Sequence, residues 1–160
     1  MTPREKGKPS RRELVQMAGA GMLGLGMLQG GTLPRKQHFK DPTGTSPATL
    51  GAVRSGHLVF VSGVGGWYPT RRPGGPGDIR QQTDAALTLM KALLEAAGSS
   101  MADLLQVQVA LVDSGANWEP MNEVYEKHVP APRPVRSYFG STGFQNKGQL
   151  LQIDAIAYVD

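Results

Sequence analysis

The 160-residue chain contains no cysteine. That excludes disulfides, thiol nucleophiles, iron–sulfur clusters and cysteine-based zinc sites, and it leaves the redox compartment open. The chain also lacks an apolar run long enough for a stable transmembrane span. Its apolar stretch, residues 17–28, is built only of Met, Ala, Gly and Leu and falls short of the about 20 residues a spanning helix needs. The three histidines, His38, His57 and His128, have no metal-like spacing. Gly63-Val64-Gly65-Gly66 lacks both a helix directly behind it and a P-loop Lys-Ser/Thr pair, so no phosphate or dinucleotide cradle is expected. No nucleophile-elbow pattern marks a serine hydrolase.

The body of the chain also lacks excess positive charge. The formal net charge is +4, which by itself invites a nucleic-acid reading. Residues 1–40, however, hold eight Lys/Arg and two acids, whereas residues 41–160 hold nine bases and eleven acids. The basic character belongs to the N-terminus, and the mildly acidic remainder argues against nucleic acid as a partner.

That basic N-terminus runs through Ser10-Arg11-Arg12-Glu13-Leu14-Val15-Gln16 into the apolar stretch. A basic segment followed by a short apolar one is the layout of an export signal, and the Arg pair resembles the twin-arginine type. The expectation is a leader over 1–32, read by the twin-arginine export machinery, and a periplasmic or otherwise exported protein, cleaved or held by an uncleaved leader. Residues 33–47, with Pro34, Pro42, Gly44 and Pro47, read as a linker. Residues 48–160 read as one domain.

Within that domain His57–Val61 predicts a strand, and the Gly/Pro-rich segment 64–77 a loop. Apolar residues at Ile79, Ala86, Leu87, Met90, Leu93, Leu94 and Ala97 predict a helix over 79–97, capped by Asp78 and ended by Gly98. Gln106–Val112 alternates as a strand. A second helix is expected from Asn117, with Pro120 in its first turn and Trp118, Met121, Val124, Tyr125 and Val129 on one face. Pro134–Phe139 and Leu150–Val159 complete the strands. The fold class is α+β: a mainly antiparallel or mixed sheet with two helices on one face. The other face still carries apolar residues and is expected to be covered in an oligomer.

Two charges fall inside predicted strands, Arg136 between Val135 and Ser137 and Asp154 midway along the most apolar strand. An unpaired buried charge is costly. Either they are structural partners, of each other or across subunits, or Arg136 forks onto a substrate carboxylate while Asp154 handles a water.

Val61-Ser62-Gly63, Gly77-Asp78-Ile79, Leu93–Gly98, Met121-Asn122-Glu123-Val124-Tyr125, Pro134-Val135-Arg136-Ser137 and Ile153-Asp154-Ala155-Ile156-Ala157 occur in this order. Together they resemble the Rid (YjgF-like) family of imine/enamine deaminases, over about residues 46–160. The resemblance implies a chorismate-mutase-like fold and a homotrimer with active sites in the subunit clefts. It implies hydrolysis of a reactive small imine or enamine to a carbonyl compound and ammonia, with no metal or organic cofactor. It makes Arg136 the carboxylate anchor and Asp154, where the family usually has Glu, the residue that orients water. Ser62, Gly63, Asn122 and Ser137 become substrate-binding residues. Tyr138 stands where some members have Cys. The alternative is a non-catalytic trimeric module binding small carboxylates or partner proteins. RNA cleavage, known for some relatives, fits the acidic body poorly.

Overall fold

The computed structural model describes residues 35–42, 51–66 and 74–160. The chain divides into two units, Met1–Leu33 and Pro34–Asp160, and every described residue belongs to the second. The leader expected over 1–32 therefore lies outside the described residues.

Among the described residues six strands and two α-helices follow in chain order: β1 (Gln37–Lys40), β2 (Gly51–Ser55), β3 (Leu58–Val64), α1 (Ile79–Ala96), β4 (Leu104–Val112), α2 (Ser114–His128), β5 (Val135–Ser141) and β6 (Leu151–Tyr158). The sheet order is β1-β2-β3-β6-β4-β5. Every neighbouring pair is antiparallel except β4 and β5, which are parallel and joined across α2, as parallel neighbours require a crossover. The α+β class and the mixed sheet agree with the sequence reading.

The core lies between the sheet and both helices. Val59, Val61, Val107, Val109, Leu111, Leu151 and Ile153 meet Leu87, Met90, Leu93, Leu94 and Met121, all almost fully buried. Helix α1 starts where Asp78 accepts from the Gln81 N–H while the Gln81 side chain accepts from the Asp78 N–H, a reciprocal cap. It ends before Gly98, whose φ of +85° needs a residue without Cβ. Two contacts tie the helices together, the Arg80–Glu123 ion pair at 2.6 Å and the His128 Nε2–Asp84 Oδ1 hydrogen bond at 2.9 Å. The opposite face of the sheet carries exposed Leu58, Phe60, Val135, Phe139 and Tyr158.

Two boundaries differ from expectation. Gln37–Lys40, read as linker, forms β1 and pairs with Gly51–Arg54; strand pairing overrides a segment with little apolar pattern. Helix α2 begins at Ser114 rather than Asn117. Asp113 takes a left-handed conformation at φ 44° and its side chain accepts from the Ala116 N–H. Asn117 lies inside the first turn, its Nδ2 donating to the Val112 carbonyl at 2.8 Å. Pro120 thus lies within the helix, not in its first turn.

Candidate active site

Strand β3 places the first half of the site. Val61 pairs with Ala155 and Val64 with Ile153, so Ser62 and Gly63 together oppose the single residue Asp154. This is a β-bulge, and Gly63 supports it with a φ of 73°. Its consequence is chemical: Ser62 Oγ donates to Asp154 Oδ1 at 2.5 Å, and the Gly63 N–H donates to the same oxygen at 2.7 Å. Charge-assisted bonds of this kind fix the carboxylate and leave Oδ2 for a water or a substrate atom. The group borders a depression of about 230 Å³ lined by Phe60, Ser62, Gln106, Gln108, Asp154 and Ile156.

Strand β5 and helix α2 build the second half. The Arg136 guanidinium carbon lies 4.3 Å from the Tyr125 ring centre and 5.0 Å from that of Trp118, within cation–π range. Trp118, Asn122 and Tyr125 are spaced by four and three residues, so they form one stripe of α2. Arg136 Nη1, Asn122 Oδ1 and the Tyr125 hydroxyl are buried with no hydrogen-bond partner among the described residues. Burial pushes the Tyr125 hydroxyl above its ordinary pKa of 10.0, and the positive charges of Arg136 and Arg133 partly oppose the shift. A held cation with an unpaired buried N–H donor suits an anion.

The halves do not meet within one chain. Gln108 pairs with both Asp154 and Ser137, whereas Val107 pairs with Ala155 and Arg136. Residues in register share a face, and successive residues alternate. Asp154, Ser62 and Ser137 therefore point to the open face, and Arg136 points with Val107 toward the helices. Direct pairing of Arg136 with Asp154 inside the chain, one of the sequence readings, is excluded by this parity. Among the expected residues, Ser62, Gly63 and Asp154 come together. Arg136 lies against Trp118 and Tyr125, Asn122 belongs to the same stripe of α2 as those two rings, and Ser137 lies two strands from Asp154 on the open face. Sequence reasoning placed Trp118 and Tyr125 on a packing face and missed their contact with Arg136. Among the described residues no three His, Asp or Glu side chains converge to hold a metal, and no helix is long and apolar enough to cross a membrane.

An α+β protein with a bulge-held carboxylate on one sheet face and a ring-held arginine on the other defines the class. The family model called Endoribonuclease L-PSP matches residues 43–159, and the chain belongs to that family. It is 34% identical over 101 residues to Reactive Intermediate Deaminase A, chloroplastic, of Arabidopsis thaliana, covering 61% of this chain and 54% of that protein. The match thus spans about half of that relative. The chain is 28% identical over 109 residues to the 2-iminobutanoate/2-iminopropanoate deaminase of Dermatophagoides farinae, covering 68% of this chain and 84% of the relative. A solved member of the YjgF/YER057c/UK114 family from Mycobacterium tuberculosis superposes with a TM-score of 0.65 at 28% identity, covering 78% of this chain and all of that one.

Proposed function

We propose that this protein hydrolyses a small reactive imino acid to its keto acid and ammonia, at sites shared between subunits of a homotrimer. The observation that carries the reading is Arg136, a cation held by two rings with a buried Nη1 that has no acceptor among the described residues. Deaminases among the relatives support it.

In this reading the substrate carboxylate forks onto Arg136 of one subunit. Asp154 of a neighbour, oriented by Ser62 and Gly63, uses Oδ2 to accept a proton from water as the water oxygen bonds to the imine carbon. The C=N π electrons move to nitrogen, giving a carbinolamine. Asp154 then returns the proton to that nitrogen. The hydroxyl proton then passes, relayed by Ser62 Oγ, to the nitrogen as the oxygen forms the C=O bond and the C–N bond breaks, releasing ammonia. Positioning supplies most of the acceleration. The apolar open face is covered by the neighbouring subunits. The basic and apolar run over residues 1–28 supports export by the twin-arginine route, which cell fractionation tests.

The decisive assay feeds the protein imines made in situ by an amino-acid oxidase and follows ammonia release. The parent accelerates release and Arg136→Ala does not; equal rates would sink the assignment. Asp154 Oδ1 is already engaged by two donors, which favours a second reading, a carboxylate-binding module without turnover. Ligand-dependent thermal stabilisation with no ammonia released would mark that case.

A further inference from the structure

We infer that Trp118 and Tyr138 select the group carried on the imine carbon, favouring an aryl or similarly large planar apolar substituent over a methyl. The inference rests on Arg136 as the carboxylate anchor. Arg136, Tyr138 and Gly140 pair with Val107, Val109 and Leu111, so all three lie on one face of β5. Trp118 ties the first two together: its ring centre is 5.0 Å from the Arg136 guanidinium carbon and 4.1 Å from the Tyr138 ring centre, with the planes tilted by 35°.

Tyr138 is held on one side by this contact, yet 52% of it stays exposed. Next along the strand Gly140 contributes no side chain, and a Cβ there would meet nothing nearer than Ser114 Oγ at 3.8 Å. The strip therefore runs from cation to ring to open space. Alternate strand residues stand about 6.6 Å apart, a step suited to the span from carboxylate to ring in an arylalanine-type imino acid. An aryl group would lie offset or edge-on against Tyr138, arrangements that aromatic pairs prefer. A methyl group would leave that ring uncovered.

The test measures binding of pyruvate and phenylpyruvate to the full chain by calorimetry, alongside ammonia release from the imines of alanine and phenylalanine. The parent should favour the aryl acid by about tenfold or more. Tyr138→Ala should bring that ratio close to one, and Tyr138→Phe should keep it. Tyr138→Leu, which retains apolar bulk, replaces the alanine variant if the latter does not fold, with the same expected loss. A parent that binds neither acid, prefers pyruvate, or keeps its preference in Tyr138→Ala or Tyr138→Leu overturns the inference. If phenylpyruvate is preferred but neither imine is hydrolysed, deamination fails and the selectivity stands. Ammonia release from both imines without preference gives the reverse.

Discussion

Arg136 and Asp154 project from opposite faces of the same sheet, because Val107 pairs with Arg136 while its neighbour Gln108 pairs with Asp154. The deamination proposed above uses both. With the pleat holding them apart, that proposal needs a second copy to bring one to the other. The same parity gives each its own neighbours: Ser62 and Gly63 donate to Asp154, while Arg136 lies against the rings of Trp118 and Tyr125 with its Nη1 still unpaired among the described residues.

Complementation follows from this separation. Arg136→Ala and Asp154→Asn chains, each inactive alone, should regain activity when co-expressed and purified as mixed oligomers. In a mixed cyclic trimer one of the three sites would pair an intact arginine with an intact aspartate, about a third of the sites. Ammonia release near that fraction of the parent is the expected result. No recovery from confirmed mixed oligomers would place the site inside one chain.

At the bulge the carboxylate and its donors should separate kinetically. Asp154→Asn keeps an oxygen for Ser62 and Gly63 but cannot take a proton, so kcat should fall by about 10²–10⁴ with KM little changed. Ser62→Ala leaves the Gly63 N–H in place and should cost less, about tenfold in kcat. Steady-state ammonia release over a range of imine concentrations checks both.

Much of this was legible because local signals agreed with the fold. The alternation from Leu151 to Tyr158 marks β6, and Asp78 and Gly98 bracket α1 within a residue. Strand β1 was not legible, since Gln37-His38-Phe39-Lys40 becomes a strand only by pairing with β2. The start of α2 was obscured by Asp113, whose left-handed backbone no pattern announces, and by Pro120, which suits a first turn better than a helix interior. Arg136, Asp154 and Ser62 stand out in sequence, but their faces depend on the β4–β5 register. The Trp118–Asn122–Tyr125 stripe was readable as a helix face; that Arg136 lies against it depends on how α2 packs under β5.

Gln82 should matter more to stability than any surface ion pair. Its buried side chain donates to the Gly77 and Gly148 carbonyls and accepts from the Leu150 N–H, closing the approach to α1 onto the entry to β6. Gln82→Leu would strand those backbone groups at a cost of about 2–4 kcal/mol. Arg80→Ala, which removes the exposed pair with Glu123, should cost under about 1 kcal/mol. Denaturant unfolding of both variants tests the order; equal losses would contradict it.

Tyr125 gives an alkaline signature. Its hydroxyl is buried without a partner among the described residues, and burial raises its pKa above 10.0 despite the opposing charges of Arg136 and Arg133. The unfolded chain therefore releases this proton at lower pH than the folded one. The contribution to stability is complete below the unfolded value of about 10 and is lost as pH rises through the raised folded value. Tyr125→Phe keeps the ring against Arg136 but removes the titrating group. Its unfolding free energy should decline less steeply above pH ~10 than the parent's, as measured by denaturant titration at a series of pH values. Identical alkaline limbs would mean that Tyr125 titrates alike in both states, and that its hydroxyl is solvated rather than enclosed beneath Arg136.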